Sequence, residues 1–379
     1  MLYKKTPLKA SLATLLLFPL ISTPAFALKI TVLNDQLKSP WALAIEPISE
    51  QILITEKKGR LLSFNMSDKQ LKVVATIPTV KVLGQGGLMD IALAPDFEKS
   101  AKLFFTYAKA QKNGAATTLA SAKLQKNSQG WSLSNWQDLL ISQPSSNSGK
   151  HFGSRIAFDN NNHVFFSVGD RGARKSAQNL NSHTGSILRL NLDGSVPTDN
   201  PFIDNPQHLP EIYSYGHRNP QGLTFIKSSN QLLAVEHGPR GGDEINLILA
   251  GKNYGWPAIS YGKEYWGPVS VGNGTAQIGM QQPLMQYTPS IAPSSLIYYQ
   301  DSYFPKLKNS FLLGALALRH LNQVRFKQPI QAIITAEQQP HQITQWLKKF
   351  ERRIRDIATL KDGRIITISD RGELILIEK

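Results

Sequence analysis

The sequence predicts an all-β chain folded as a six-bladed β-propeller. Three observations point there. A strand–turn–strand unit recurs six times at intervals of roughly 50 to 75 residues, and short antiparallel strands repeating at that length are the mark of propeller blades. Helical periodicity is nearly absent, with residues 342–352 as the one stretch that could form a short helix. No Pro/Gly/Ser-rich linker divides the chain, whereas a β-sandwich reading would need two domains and leave the period unexplained.

The units follow in order. Residues 41–45 turn at Glu46-Pro47 into 51–55, and Lys58-Gly59 leads into 60–64. Residues 90–94 turn at Pro95-Asp96 into 103–107. Residues 155–158 turn at Asp159-Asn160 into 164–168, followed by 186–190. The fourth unit is 222–225, 231–235 and 244–248, and the fifth is 295–299, 310–314 and 322–326. The sixth is 354–357, 364–368 and 373–377, with its turn at Asp362-Gly363. Each strand is rich in Val, Ile, Leu and Phe, and each turn carries Pro, Gly, Asp or Asn, which supply the special backbone angles. Residues 29–33 are expected to pair with the last unit and close the ring, removing an exposed edge. Residues 262–285, rich in Gly, Pro and Gln, read as a long insertion loop of the kind that carries function.

The N-terminus reads as a secretory leader over residues 1–27, leaving a single propeller domain over 28–379. Lys4, Lys5 and Lys9 precede an apolar run at 12–21, and Ala25-Phe26-Ala27 fits a cleavage site. No later segment is long enough to span a bilayer, so the expectation is an exported protein, periplasmic or secreted. The chain has no cysteine, which excludes disulfides, thiolate ligands and thiol nucleophiles. The net charge is +15, and +12 without the three leader lysines. Export and the scatter of the lysines argue against nucleic acid. Anionic surfaces or an anionic small ligand fit better.

Several turns carry more polar chemistry than a turn needs. The densest are the run at 213–222, with His217, Arg218, Asn219 and Gln221, and the run at 236–244, with Glu236, His237, Gly238, Pro239, Asp243 and Glu244. In a propeller, polar loops at one end of the blades converge on the axis. His151, ahead of one strand, and Asp170, after the next, can meet across a hairpin as a base and its orienting carboxylate. Gln85 sits in a Gly-rich turn. Arg353 and Arg355 share one strand face and could clamp a carboxylate or phosphate. The carbonyls of Gly238 and Pro239, with Asp243, Glu244 and the Tyr254 region, suggest an oxygen-rich Ca²⁺ site. The scattered histidines form no zinc motif, and there is no phosphate loop, dinucleotide fingerprint or Gly-x-Ser-x-Gly elbow.

Taken together, the runs at 215–222 and 236–246, with 253–257, 289–294 and 353–356, resemble the soluble pyrroloquinoline quinone (PQQ)-dependent aldose sugar dehydrogenases of the glucose/sorbosone dehydrogenase family, over nearly the whole mature chain. The resemblance implies a six-bladed propeller that oxidises aldoses to lactones. It makes His151 the general base at the sugar C1 hydroxyl while hydride passes to the quinone. Asp170 would orient His151, and Arg218 would polarise the quinone carbonyl. Gln85, Asn219 and Gln221 would bond the cofactor, and Arg353 and Arg355 would pair with its carboxylates. Gly238 and Pro239 would hold one Ca²⁺ through their carbonyls, and Glu244 and Tyr254 a second. The sequence departs from the family pattern at Gln286-Tyr287-Thr288, where an aromatic wall is usual and Tyr287 is a possible replacement. It also lacks a lysine near residues 314–317, where Arg319 is a possible substitute. Two other readings remain open: a non-catalytic propeller binding a glycan or protein, and a calcium-dependent lactonase. The sugar, the electron acceptor and the choice between monomer and homodimer are not legible.

Overall fold

The computed structural model describes Met1 and residues 28–128, 130–332 and 341–379. The leader expected over 1–27 lies, apart from Met1, outside the described residues. Those residues form six four-stranded antiparallel sheets, so the propeller is realised.

The first strand, β1 (Lys29–Asn34), belongs to the last blade. Blade 1 is β2 (Pro40–Ile45), β3 (Ile52–Glu56), β4 (Arg60–Phe64) and β5 (Leu71–Thr76). Blade 2 is β6 (Leu88–Leu93), β7 (Lys102–Gln111), β8 (Gly114–Asn127) and β9 (Gly130–Ile141). Blade 3 is β10 (Ile156–Phe158), β11 (His163–Val168), β12 (Ser186–Asn191) and β13 (Ile212–Tyr215). Blade 4 is β14 (Pro220–Ile226), β15 (Gln231–Glu236), β16 (Asp243–Ile248) and β17 (Met285–Tyr287). Blade 5 is β18 (Pro293–Tyr299), β19 (Ser310–Ala315), β20 (Leu321–Phe326) and β21 (His341–Trp346). Blade 6 is β22 (Ile354–Thr359), β23 (Ile365–Ser369) and β24 (Leu374–Glu378), with β1 outermost. The pairing Lys29↔Glu378 through Val32↔Ile375 closes the ring as expected.

The inner strands β2, β6, β10, β14, β18 and β22 neighbour one another around the axis. The middle strands are almost wholly buried, because each sheet packs between two others and both its faces are apolar. Sheet-to-sheet clusters such as that of Leu233, Val235, Leu296 and Leu313 carry the hydrophobic stabilisation. Hydroxyls tie adjacent blades near the axis: Thr55 Oγ1 donates to Met89 O (2.6 Å), Thr106 Oγ1 to Ser154 O (2.7 Å) and Ser167 Oγ to Pro220 O (3.0 Å).

The outer strands differ from expectation. β5, β9 and β21 are half-exposed or exposed along their lengths and lack the apolar signal of the inner three. The helix expected over 342–352 does not form. Residues 341–346 pair with β20 in the register Leu321↔Trp346 to Phe326↔His341, and a 3₁₀ turn (Lys348–Phe350) follows. An unsatisfied blade edge outbids a weak helical preference.

Candidate active site

The site lies at one end of the channel. Two kinds of segment reach that end: the loop entering the innermost strand and, in blades 1, 4, 5 and 6, the turn leaving the second strand. The register shows why. Pro40 pairs with Glu56, Pro220 with Glu236, Pro293 with Ala315 and Ile354 with Ser369. The next residue out of the second strand is therefore Lys57, His237, Leu316 or Asp370, and all four line a central cavity of about 430 Å³. Gln85, Asn219, Gln221, Arg353 and Arg355 line the same cavity.

His151 and Asp170 meet beside this cavity; neither they nor Arg218 is among its lining residues, but His151 is followed by the lining Phe152 and bonded to the lining Gln85. His151 Nδ1 lies 2.6 Å from Asp170 Oδ1. The buried carboxylate also accepts from Gly172 N (2.7 Å) and from Trp256 Nε1 (2.7 Å), so both its oxygens are fixed. Burial works against the Asp170 anion, yet its hydrogen bonds, that from His151 first, hold the carboxyl below its ordinary value. With Asp170 an anion, Nδ1 carries the proton and Nε2 keeps a lone pair, with no protein partner for Nε2 among the described residues. Burial pulls the His151 pKa down, and Arg218 adds to this against the opposing pull of Asp170, so the ring is neutral near pH 7. The backbone makes room for the pair: a Cβ on Gly169 would stand 2.3 Å from His151 O, and His151 itself has φ +50°. Gln85 Oε1 accepts from His151 N (2.8 Å), which ties blade 2 to the dyad.

Arg218 stands nearby. Its backbone N donates to Glu236 Oε2 (2.8 Å), and its guanidinium donates to His237 O (3.1 Å) and Tyr265 Oη (3.3 Å), leaving Nε buried with no partner. Asn219 Oδ1 accepts from Gly153 N (3.1 Å), and Gln221 Nε2 donates to Gly153 O (2.8 Å). These two amides form a short bridge between blades 3 and 4 that borders the cavity. His217 faces the other way. It bonds Glu236 and Ser214 and stacks on Tyr254 (4.5 Å), which is a supporting role.

Arg353 and Arg355 converge on one carboxylate. Asp370 Oδ2 accepts from Arg353 Nε (2.9 Å), and Asp370 Oδ1 from Arg355 Nε (2.8 Å). Lys57 donates to Gly84 O and faces the same space, its pKa lowered by burial and by the Arg355 cation. Three cations against one carboxylate on this side of the cavity suit an anionic ligand. Lys57 and Asp370 are lining residues that the sequence reading did not single out. Their shared position after a second strand is the signal that would have found them.

Among the described residues no group of three His, Cys, Asp or Glu side chains has the geometry to hold a metal. The candidate oxygen set is mixed instead. A void of about 20 Å³, room for a single small species, is lined by Gly238, Glu236, Glu244 and Tyr254. Burial, then repulsion from Glu236, pushes the Glu244 carboxyl up to about 8. Its recorded side-chain donor is Asn246 Nδ2 (3.1 Å), and Asn246 Oδ1 is a buried acceptor with no partner. Arg218 lines the same void, so a donor is present, but two neighbouring carboxyls, Glu236 and Glu244, supply the oxygens that a hard cation takes. Three expectations need correction or narrowing. Asp243 is not free for a metal, because it accepts from Gly238 N, Ser290 Oγ, Ile291 N and Ala292 N and so pins the 289–292 turn. The Tyr254 hydroxyl is bound to Leu247 O and Leu249 N, so only its backbone carbonyl remains as a ligand. Pro239 packs against Gly262 and is not among the residues lining the void.

Neither suggested replacement residue occupies the place expected of it. Tyr287 is buried in the blade 4–5 core, with its hydroxyl accepting from Asn322 Nδ2 (2.6 Å). Arg319 is exposed with φ +56° and is not among the cavity-lining residues.

The fold and site define a six-bladed propeller with a His–Asp pair beside a cationic cavity, and the comparisons narrow it. The glucose/sorbosone dehydrogenase family model matches residues 37–377, and the chain belongs to that family. It is 34% identical over 353 residues to aldose sugar dehydrogenase YliI of Escherichia coli, covering 91% of each chain. It is 34% identical over 255 residues to quinoprotein glucose dehydrogenase B of Acinetobacter calcoaceticus, covering 60% of this chain and 52% of that one. The apo-form crystal structure of the soluble E. coli aldose sugar dehydrogenase superposes with a TM-score of 0.86 at 32% identity, covering 93% of this chain and 99% of that one.

Proposed function

We propose that the chain is an exported PQQ- and Ca²⁺-dependent dehydrogenase that oxidises the C1 hydroxyl of aldoses to lactones. The observation that carries this reading is the His151–Asp170 pair, bonded through Gln85 to a cavity that Lys57, Arg353 and Arg355 also line. Relatives named as an aldose sugar dehydrogenase and a quinoprotein glucose dehydrogenase support it. Bound there, PQQ would supply the two-electron acceptor for the C1 hydrogen, and Ca²⁺ the Lewis-acid charge beside it.

The chain's own residues then divide the work. His151 Nε2 takes the proton from the C1 hydroxyl, and Asp170 holds Nδ1–H and stabilises the imidazolium that results. Arg218 presents a fixed cation on the reacting side. Gln85, Asn219 and Gln221 offer amides to the cofactor edge, and Arg353, Arg355 and Lys57 meet its carboxylates. The carbonyl of Gly238 would hold the Ca²⁺ next to the cofactor, with that of Pro239 only if the turn shifts to bring it round. Glu244 and the Tyr254 carbonyl would hold a second Ca²⁺ that braces the turn. Residues 1–27 would be removed on export, leaving 28–379 as one domain in the periplasm or medium.

Titrating purified apoprotein with PQQ in Ca²⁺, followed by absorbance and by dye-linked oxidation of an aldose panel, tests the reading. Stoichiometric binding with aldose oxidation is expected. Folded protein that binds no PQQ, or that hydrolyses lactones without it, would overturn it.

A further inference from the structure

The insertion loop holds a feature that the residues already assigned leave unexplained. Residues 262–271 form a hairpin. Lys263 bridges Ser270 on one side and Arg240 on the other, and Glu264 N donates to Val269 O (2.8 Å). Its tip is tied down twice more. Arg174 grips Glu264 with two bonds (2.5 and 2.8 Å), and Arg218 donates to Tyr265 Oη (3.3 Å). Arg174 follows Asp170 by four residues, and Arg218 neighbours His151 electrostatically, so the tip is anchored to both sides of the candidate site.

The tip nevertheless presents apolar surface to water. Tyr265 is 64% exposed and Trp266 76% exposed, and they are the exposed large aromatic side chains among the described residues. Adjacent exposed rings on a loop braced by an ion pair do not pack a core. They mark a contact surface. A pyranose with equatorial hydroxyls has a face of C–H bonds that stacks on an aromatic ring, while its hydroxyls stay free to hydrogen-bond. A rigid platform keeps the ordering cost of such a contact low.

We propose that Tyr265 and Trp266 form a sugar-stacking lip that determines pyranose specificity at this site. The proposal rests on the dehydrogenase reading above and assigns the substrate-facing wall that Tyr287 does not provide. The lip selects flat, equatorially substituted rings, because an axial hydroxyl lifts the ring off the aromatic face.

The test uses the PQQ- and Ca²⁺-loaded protein with two readouts. Calorimetry with methyl β-glucoside, which has no free C1 hydroxyl, reads binding without turnover. Steady-state oxidation reads KM and kcat. Trp266→Ala is expected to weaken glucoside binding about 10-fold and raise KM by a similar factor, with kcat and PQQ affinity little changed, consistent with loss of one apolar contact. Trp266→Phe should restore most of the loss. Unchanged glucoside affinity and KM in both Trp266→Ala and Tyr265→Ala would overturn the lip while leaving the dehydrogenase reading intact. Wild-type protein that binds PQQ yet oxidises no aldose would sink that reading instead, and the glucoside titration would still decide the lip.

Discussion

His151 Nδ1 stands 2.6 Å from Asp170 Oδ1, across a hairpin crossing that only a glycine at 169 allows. The pair sets a pH prediction. Burial lowers the His151 pKa from its ordinary value of about 6.5. A base must be neutral to work, so the rate should fall as pH drops through this lowered pKa, placing the acidic limb below about 6.5. Asp170→Asn removes an influence that raises the pKa, so the limb should move further down. The mutation also frees the wrong tautomer, so kcat should drop on the order of 10²-fold or more. A pH–rate profile of both proteins checks this.

Lys57, Arg353 and Arg355 face one cavity, and the two arginines share one carboxylate, Asp370. Lys57→Ala and Arg355→Ala should each weaken PQQ binding about 10-fold or more, since a hydrogen bond to a charged group contributes about 1.5–3 kcal/mol. Arg319→Ala should leave affinity unchanged. Absorbance titration separates these outcomes.

Arg155 is the hub of the axis. Its guanidinium meets Asp90 (2.9 Å), Asp356 (3.1 Å), Ser294 O (2.8 Å) and Gln221 O (2.9 Å), and lies over the Trp41 ring (4.4 Å). One side chain therefore touches blades 1, 2, 4, 5 and 6 from its place in blade 3. Arg155→Met should destabilise the fold by about 3–5 kcal/mol, because it strands two buried carboxylates. Urea unfolding should show a lower midpoint.

Glu244 and Glu236 face one void of about 20 Å³ and repel each other. Adding Ca²⁺ to chelator-treated apoprotein should raise Tm, and Glu244→Gln should remove most of the gain. Equal Tm with and without Ca²⁺ in the wild type would count against the cation.

The ring, its closure by residues 29–33 and the blade count were legible because inner and middle strands are apolar on both faces. The outer strands were not, since β5 and β21 expose most of their side chains and carry little pattern. His151, Asp170 and Arg218 could be found because each sits among other polar residues in a turn. Lys57 and Asp370 were missed because a single charged residue after a strand looks like any solvated turn. Only the register, which puts both one residue past a pairing with an inner strand, reveals that they face the axis. Tyr287 misled for the opposite reason. Its place beside the 289–292 turn suggested a wall, but its alternation along β17 points it into the core.

The most direct test is His151→Ala in PQQ- and Ca²⁺-loaded protein, assayed for dye-linked aldose oxidation beside the wild type. We expect PQQ affinity to be retained and kcat to fall on the order of 10²- to 10⁴-fold. Undiminished oxidation with PQQ bound would contradict the assignment of His151 as the base.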